Sequence, residues 1–174
     1  LRSLEFTPHS LIAEMDYAGV DVALLHVDVM IGRSSSFQAQ CVNAYPDRLR
    51  SMAPVDEWRV ATETDACIDE LRTAISDLHL HAIKFNPPHA HYLSPEAWDS
   101  ESFRPFWDAA TELGVPLFFT LGCGPSDRSL TATAEEQRQG YLGELAILMR
   151  WMESYPDAAC SLTHGFPWRL FLDG

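Results

Sequence analysis

Five short apolar runs, separated by stretches with helical spacing, are the feature of this sequence that most constrains its fold. Each run is apolar at nearly every position, which is the pattern of strands that are covered on both faces. The runs span residues 20–27, 49–55, 81–85, 115–121 and 158–163. Strands that alternate with helices in this way build parallel βαβ units with right-handed crossovers. The sequence therefore predicts an α/β fold with a parallel sheet.

The stretches between the runs predict helices with recognisable ends. Thr7-Pro8 is a helix-start signal, and Gly19 closes this first helix just before the first strand. Further helices are predicted at 34–45, 60–78, 101–113 and 141–155. The predicted loops are 31–36 and 122–139, and both follow strands. Long loops after strands and short turns after helices indicate a functional face at the carboxyl ends of the strands.

Length and charge limit the kinds of protein that this chain can be. The 174 residues show no change in composition that would mark a linker, so we expect one domain over residues 1–174. The net charge of −13 argues against a nucleic-acid or anionic-membrane partner, because both favour Lys and Arg. No apolar run approaches the roughly 20 residues of a membrane span, and no signal-peptide pattern opens the chain. We expect a cytoplasmic protein whose partner is a small-molecule substrate.

The cysteines give no sign of a disulfide framework. They are widely spaced, include no CxxC pair, and stand at Cys41, Cys67, Cys123 and Cys160. This spacing favours separate thiols that pack as small apolar groups in a reducing compartment. A disulfide or a thiolate metal site is the alternative.

Polar residues at the ends of the predicted strands form the candidate site. The last apolar run ends in His164-Gly165, which places an imidazole at the edge where α/β folds carry their chemistry. We predict that His164 is catalytic. The other polar residues at strand exits are His26, Asp28, Asp56, Lys84, Asn86, Thr120 and Thr163. Imidazole, carboxylate, amide and ammonium groups on one rim can bind a divalent metal or carry out acid–base chemistry.

Several of these residues have structural alternatives. His164 could be a core histidine that is bonded to the backbone, and Asp56 could be a turn residue at the start of a loop. Lys84 lies among apolar neighbours, so its ammonium must be paired if it points inward. His89 and His91 form an HxH pattern, but their position after two prolines predicts an exposed loop rather than a pair of metal ligands.

Five longer segments carry a family pattern. They are MDYAGVDVALLH (15–26), NAYPDRLRSMAPVD (43–56), LHAIKFNPP (80–88), FRPFWDAATELGVPLFFTLG (103–122) and LMRWMESYPDAACSLTHG (148–165). In this order they resemble the amidohydrolase-related family, which contains aminocarboxymuconate semialdehyde and resorcylate decarboxylases and dicarboxylate lactonases. The resemblance implies a (β/α)8 barrel of the TIM type with one divalent metal, zinc or alternatively manganese, at the carboxyl ends of the strands. About five βα units are present, so we expect an incomplete barrel.

The resemblance also implies roles for individual positions. Family members carry an HxH metal motif on the first strand, a metal-binding His after a middle strand, an Asp at the last strand and a further His before Gly. His164 matches this last His, which activates metal-bound water or assists decarboxylation. The HxH strand would precede Leu1, and the Asp would follow Gly174. We therefore expect the chain to be a piece of a longer protein.

The middle-strand position departs from the family pattern, because it is Thr120 here. A hydroxyl is a poor substitute for an imidazole as a zinc ligand. Three explanations stay open. The metal is held by fewer side chains, another residue such as His26 or Asn86 compensates, or the site has lost its metal.

The resemblance implies a metal-dependent hydrolase or non-oxidative decarboxylase that acts on a small carboxylated, cyclic or aromatic substrate. His164 would transfer the proton, while Lys84, Asn86 and Trp168 would bind the substrate. One alternative is a catalytically decayed barrel that serves as a binding or scaffold protein. Another is a metal-free barrel enzyme, such as an aldolase, with Lys84 as a Schiff base. Family members are often dimers, so a homodimer is possible.

Overall fold

The computed structural model describes residues 7–26, 34–87, 96–122 and 132–172. Its five strands are β1 (Ala23–Leu25), β2 (Leu49–Pro54), β3 (Ala82–Phe85), β4 (Leu117–Phe119) and β5 (Cys160–Leu162). Each strand pairs in parallel with the next, so the order in the sheet is the order in the chain. Right-handed crossovers in such a sheet put every connecting helix on the same face, as in a barrel. The predicted barrel-type α/β fold is confirmed, as a curled five-stranded half-barrel.

The helices of the described residues lie before the first strand, between the strands and after the last one. They are α1 (Pro8–Ala18), α2 (Ser35–Ala44), α3 (Thr64–Arg72), α4 (Arg104–Glu112), α5 (Ala134–Ser154) and α6 (Arg169–Leu172). A π-helical turn, Thr73–Asp77, continues α3. Within this described part of the chain, no helix has both the length and the apolarity to span a membrane.

The first helix begins and ends where the sequence predicts. The Thr7 hydroxyl accepts a hydrogen bond from the Ser10 N–H at 3.2 Å, which caps the amino end of α1. At the other end Gly19 has a φ of 69°, a left-handed conformation that glycine adopts without steric cost. Both predicted signals for α1 are confirmed.

The predicted helix over residues 60–78 and the predicted loop over residues 122–139 are both wrong in part. Residues 57–62 form turns, and α3 begins only at Thr64. Conversely, α5 begins at Ala134, well before the apolar spacing that starts at residue 141. A capping box explains the early start, because the Thr133 hydroxyl accepts from the Glu136 N–H while the Glu136 carboxylate accepts from the Thr133 N–H.

The helical face of the sheet carries the largest core, in which aromatic rings dominate. The rings of Phe85 and Trp107 lie 4.7 Å apart, and those of Phe119 and Trp151 lie 5.0 Å apart. These contacts fix β3 and β4 against the helices. Successive side chains of a strand point to opposite faces. The residues that alternate with this aromatic set therefore point to the opposite side of the sheet, which we call the interior face.

Candidate active site

A row of three polar residues crosses three neighbouring strands at the carboxyl edge of the sheet. The Thr120 N–H donates to the Phe85 carbonyl at 3.1 Å, and the Thr163 N–H donates to the Phe119 carbonyl at 2.9 Å. These bonds continue the parallel ladder one residue beyond the last pairs of β3, β4 and β5. Asn86, Thr120 and Thr163 consequently lie side by side on the interior face. We call these three residues the rim row.

The hydroxyl oxygens of both threonines in the rim row are buried. Neither Thr120 Oγ1 nor Thr163 Oγ1 has a hydrogen-bond partner among the described residues. A buried polar atom left without a partner costs about 1–3 kcal/mol. Such atoms are uncommon in native proteins, and a catalytic role or a bound water or ion is among their explanations. Two of them on adjacent strands therefore mark this edge as a functional candidate.

Lys84 lies on the interior face, two residues before Asn86 of the rim row. It is the only lysine in the sequence, and its side chain is only 4% exposed. Burial lowers the pKa of its ammonium to about 8. In the described part of the chain it makes no hydrogen bond or ion pair, so a partner for its ammonium stays a prediction.

Asn86 is held by a carboxylate that the sequence analysis missed. Its backbone N–H donates to Glu57 Oε1 at 2.6 Å, and both residues are buried. Glu57 directly follows Asp56 at the exit of β2, so its position after a strand was an available signal. Asp56 itself is partly exposed, and its Oδ2 lies 3.9 Å from Arg59 Nη1. The buried glutamate, rather than the aspartate, therefore fixes the end of β3.

His164 and Trp168 follow β5 on the solvent side of the rim. The His164 side chain is exposed. It sits in a turn that closes when the Gly165 N–H donates to the Leu162 carbonyl at 3.2 Å, with Gly165 at a φ of 65°. Trp168 is 65% exposed, and its ring lies 4.8 Å from that of Phe166. Both predicted residues are accessible to a ligand that approaches the carboxyl edge.

The described residues do not fit a divalent-metal site by themselves. His26 is exposed at the exit of β1, four strand spacings from His164, or roughly 19 Å along the sheet. Among the residues that the structure describes, no group of three or more His, Cys, Asp or Glu side chains could hold a metal ion. Asp28, His89 and His91 lie outside the described residues. The described cysteines (Cys41, Cys67 and Cys160) form no disulfide with one another, which agrees with the prediction of separate thiols.

Comparisons with known proteins agree on one family and one fold. The amidohydrolase family model Amidohydro_2 matches residues 8–169. No curated protein sequence gives a significant match. The fold is similar to 2,6-dihydroxybenzoate decarboxylase from Rhizobium, with a TM-score of 0.67 and 18% identity over 97% of this chain and 59% of that one.

Two further structures are similar at comparable levels. Dihydroxybenzoic acid decarboxylase from Polaromonas, with bound manganese and the inhibitor 2-nitroresorcinol, has a TM-score of 0.64 and 20% identity over 92% of this chain and 55% of that one. A probable 2-pyrone-4,6-dicarboxylic acid hydrolase from Acinetobacter baumannii, with citric acid bound, has a TM-score of 0.52 and 12% identity over 93% and 51%. The chain thus spans between 51% and 59% of the length of these three proteins.

Proposed function

The chain belongs to the amidohydrolase family, and from that premise we propose that it carries part of the active site of a hydrolase or non-oxidative decarboxylase. The proposed substrate is a small carboxylated compound with a cyclic or aromatic ring. The observation that carries this proposal is the buried ammonium of Lys84 on the interior face at the functional edge of the sheet. A buried cation at that place favours an anionic ligand. Burial removes the water that would stabilise the ammonium, and the charge of the ligand replaces that stabilisation.

Each predicted site residue has a role that its position allows. Lys84 would bind the substrate carboxylate, while Asn86, fixed by Glu57, would shape the floor of the site. Trp168 would contact the ring of the substrate, because its indole is exposed beside the rim. His164 would transfer the proton, to the ring carbon in decarboxylation or from water in hydrolysis. A cytoplasmic location remains a prediction.

For the whole protein we propose a divalent metal, zinc from the sequence resemblance or manganese by analogy with the Polaromonas decarboxylase. Such an ion polarises a carbonyl or lowers the pKa of bound water. Its ligands would have to include residues other than those described, because the described ones form no such cluster. The roles proposed for Lys84 and His164 depend on side chains of this chain alone.

The second candidate is a binding or scaffold protein on a barrel that has lost its catalytic metal. Thr120 favours this candidate, because it replaces the imidazole that the family resemblance leads us to expect there. Elemental analysis of the full-length protein separates the two. About one zinc or manganese per chain supports the enzyme. A metal-free protein that regains metal in Thr120→His supports the decayed site.

Turnover by His164 variants tests the enzyme directly. The full-length protein is assayed against dihydroxybenzoates and dicarboxylated lactones, with release of carbon dioxide or ring opening as the readout. We expect His164→Asn to lower kcat by about 100-fold to 10,000-fold, the range of general acid–base catalysis, with the fold preserved. His79→Asn is the matched control, because His79 is exposed and its φ of 56° suits asparagine. Equal activity of both variants would remove His164 from the mechanism.

A further inference from the structure

We propose that the hydroxyls of Thr120 and Thr163, together with the ammonium of Lys84, form a subsite that binds the carboxylate of the substrate. Position 120 then binds an anion, in place of the metal-binding role that the resemblance implies for it. The inference rests on the proposed function in one respect, namely that the substrate carries a carboxylate. It adds two residues, Thr120 and Thr163, that would determine specificity for that carboxylate.

The spacing of the two threonines suits one carboxylate. They occupy the same row on β4 and β5, and neighbouring strands lie about 4.8 Å apart. Two hydroxyls at that separation can donate to the two oxygens of one carboxylate, as each hydroxyl has one hydrogen to give. Both residues are partly exposed although their hydroxyl oxygens are buried. Rotation about χ1 therefore brings each hydroxyl to the surface of the interior face.

The ammonium of Lys84 can reach the same place. Lys84 pairs with Phe118, so it stands on the same face as Thr120, one strand to the side and two residues below, which puts the two Cα atoms roughly 8 Å apart. The four-carbon stem of lysine covers most of that distance, and the head group carries three rotatable donors. One ammonium from β3 and two hydroxyls from the ends of β4 and β5 therefore border the same part of the interior face.

The sign of the charge decides between an anion and a cation. In the rim row and at Lys84 the side chains are one ammonium, one amide and two hydroxyls, with no carboxylate. Two carboxylates follow the neighbouring strand β2: Glu57 accepts from the Asn86 N–H, and Asp56 has its Oδ2 3.9 Å from the Arg59 guanidinium. A buried ammonium repels a divalent cation and attracts a carboxylate. Hydroxyl donors strengthen that preference, since hydrogen bonds to a charged group are roughly twice as strong as neutral ones.

The test compares two ligands that differ by one carboxylate. Binding of 2,6-dihydroxybenzoate and of resorcinol to the full-length protein is measured by calorimetry, with a chelator present to stop metal-dependent turnover and metal-mediated binding. We expect Thr120→Val and Thr163→Val each to weaken 2,6-dihydroxybenzoate binding by about 10-fold to 100-fold, in line with a charge-assisted hydrogen bond. Resorcinol binding should change less than about twofold, because it lacks the carboxylate.

Serine and a distant threonine provide the controls. Thr120→Ser keeps the hydroxyl and should keep wild-type affinity. Thr62→Val removes an exposed hydroxyl that donates to the Arg59 carbonyl, and it should have no effect. The inference is overturned if the valine variants bind both ligands like wild type, or if they lose metal in stoichiometric measurements without the chelator. Carboxylate selectivity in a protein that turns nothing over would support the subsite while it removes the proposed enzyme.

Discussion

The free energy of unfolding should depend on pH through Lys84. Burial lowers the pKa of this ammonium from 10.5 to about 8, so below pH 8 the folded state carries a desolvated charge. Between about pH 8 and 10.5 the folded state loses its proton while the unfolded state keeps it. The penalty therefore disappears, and wild-type stability rises with pH across that window relative to a variant without the charge.

Lys84→Met tests this dependence by chemical denaturation of the full-length protein at several pH values. We expect the variant to be more stable than wild type at pH 7 by at most about 3 kcal/mol, and by less where water reaches the ammonium. The difference should shrink as the pH rises from 8 to 10. Arg72→Met removes an exposed cation instead and should show no such change. A Lys84→Met variant that is less stable at pH 7 would contradict the unpaired, buried ammonium.

At the residue scale, the sequence predicts which side chains occupy the edge but not what they contact. Lys84, Asn86 and Thr120 were found because each follows or ends an apolar run, which is a local signal. The buried bond from the Asn86 N–H to Glu57 joins residues 29 positions apart, and no periodicity reports such a pairing. The absence of a described partner for Lys84 likewise depends on the surrounding fold.

Helix α5 depends on its capping box more than on its first-turn composition. The residues between Ala134 and residue 140 are mostly polar and bury little, so the box must fix where the helix begins. Thr133→Ala removes the hydroxyl that accepts from the Glu136 N–H at 3.2 Å. We expect a loss of about 1 kcal/mol in the free energy of unfolding. Denaturation in urea or guanidinium chloride measures it.

The same box should make α5 sensitive to acid. The Thr133 N–H, and secondarily the Thr133 hydroxyl, hold the pKa of Glu136 below its usual value. The contribution of the Glu136 carboxylate to the free energy of unfolding is therefore complete above the pKa that this group has in the unfolded chain. It is lost as the pH falls through the lower pKa of the folded state. Thr62→Ala serves as the control, because its exposed hydroxyl donates to the turn carbonyl of Arg59 and caps no helix. Equal losses in the two variants would show that the box does not set the start of α5.

The strands are shorter than the apolar runs that predicted them, and β1 shows why. The run covers residues 20–27, but the ladder covers only Ala23–Leu25. The Arg48 guanidinium donates to the carbonyls of Asp21 and Val20 at 2.7 and 3.0 Å. The Arg48 side chain, directly before β2, thus donates the hydrogen bonds that a neighbouring strand would otherwise donate. Apolar composition predicts the existence of a strand, while such long-range contacts set its ends.

At the scale of the whole molecule, the arrangement follows from the alternation of elements. Strands of parallel type that alternate with helices join through right-handed crossovers, which gives the sequential order of β1 to β5. Within the described residues, this order leaves β1 and β5 paired on one side only. Each therefore presents a row of backbone groups that another strand can pair with. In the longer similar proteins, further chain is present beyond the matched part.

We expect the 174-residue chain, prepared alone, to self-associate through these edges, with a mass that rises with concentration in light scattering after gel filtration. Leu24→Lys should reduce the association, because a charged side chain on an edge strand opposes pairing with another strand. Leu142→Lys on α5 is the matched control, since Leu142 is 41% exposed and Leu24 is 39% exposed. The control should associate like the unsubstituted chain. A monomer at every concentration, or an equal effect of both substitutions, would show that the sheet edges do not drive association.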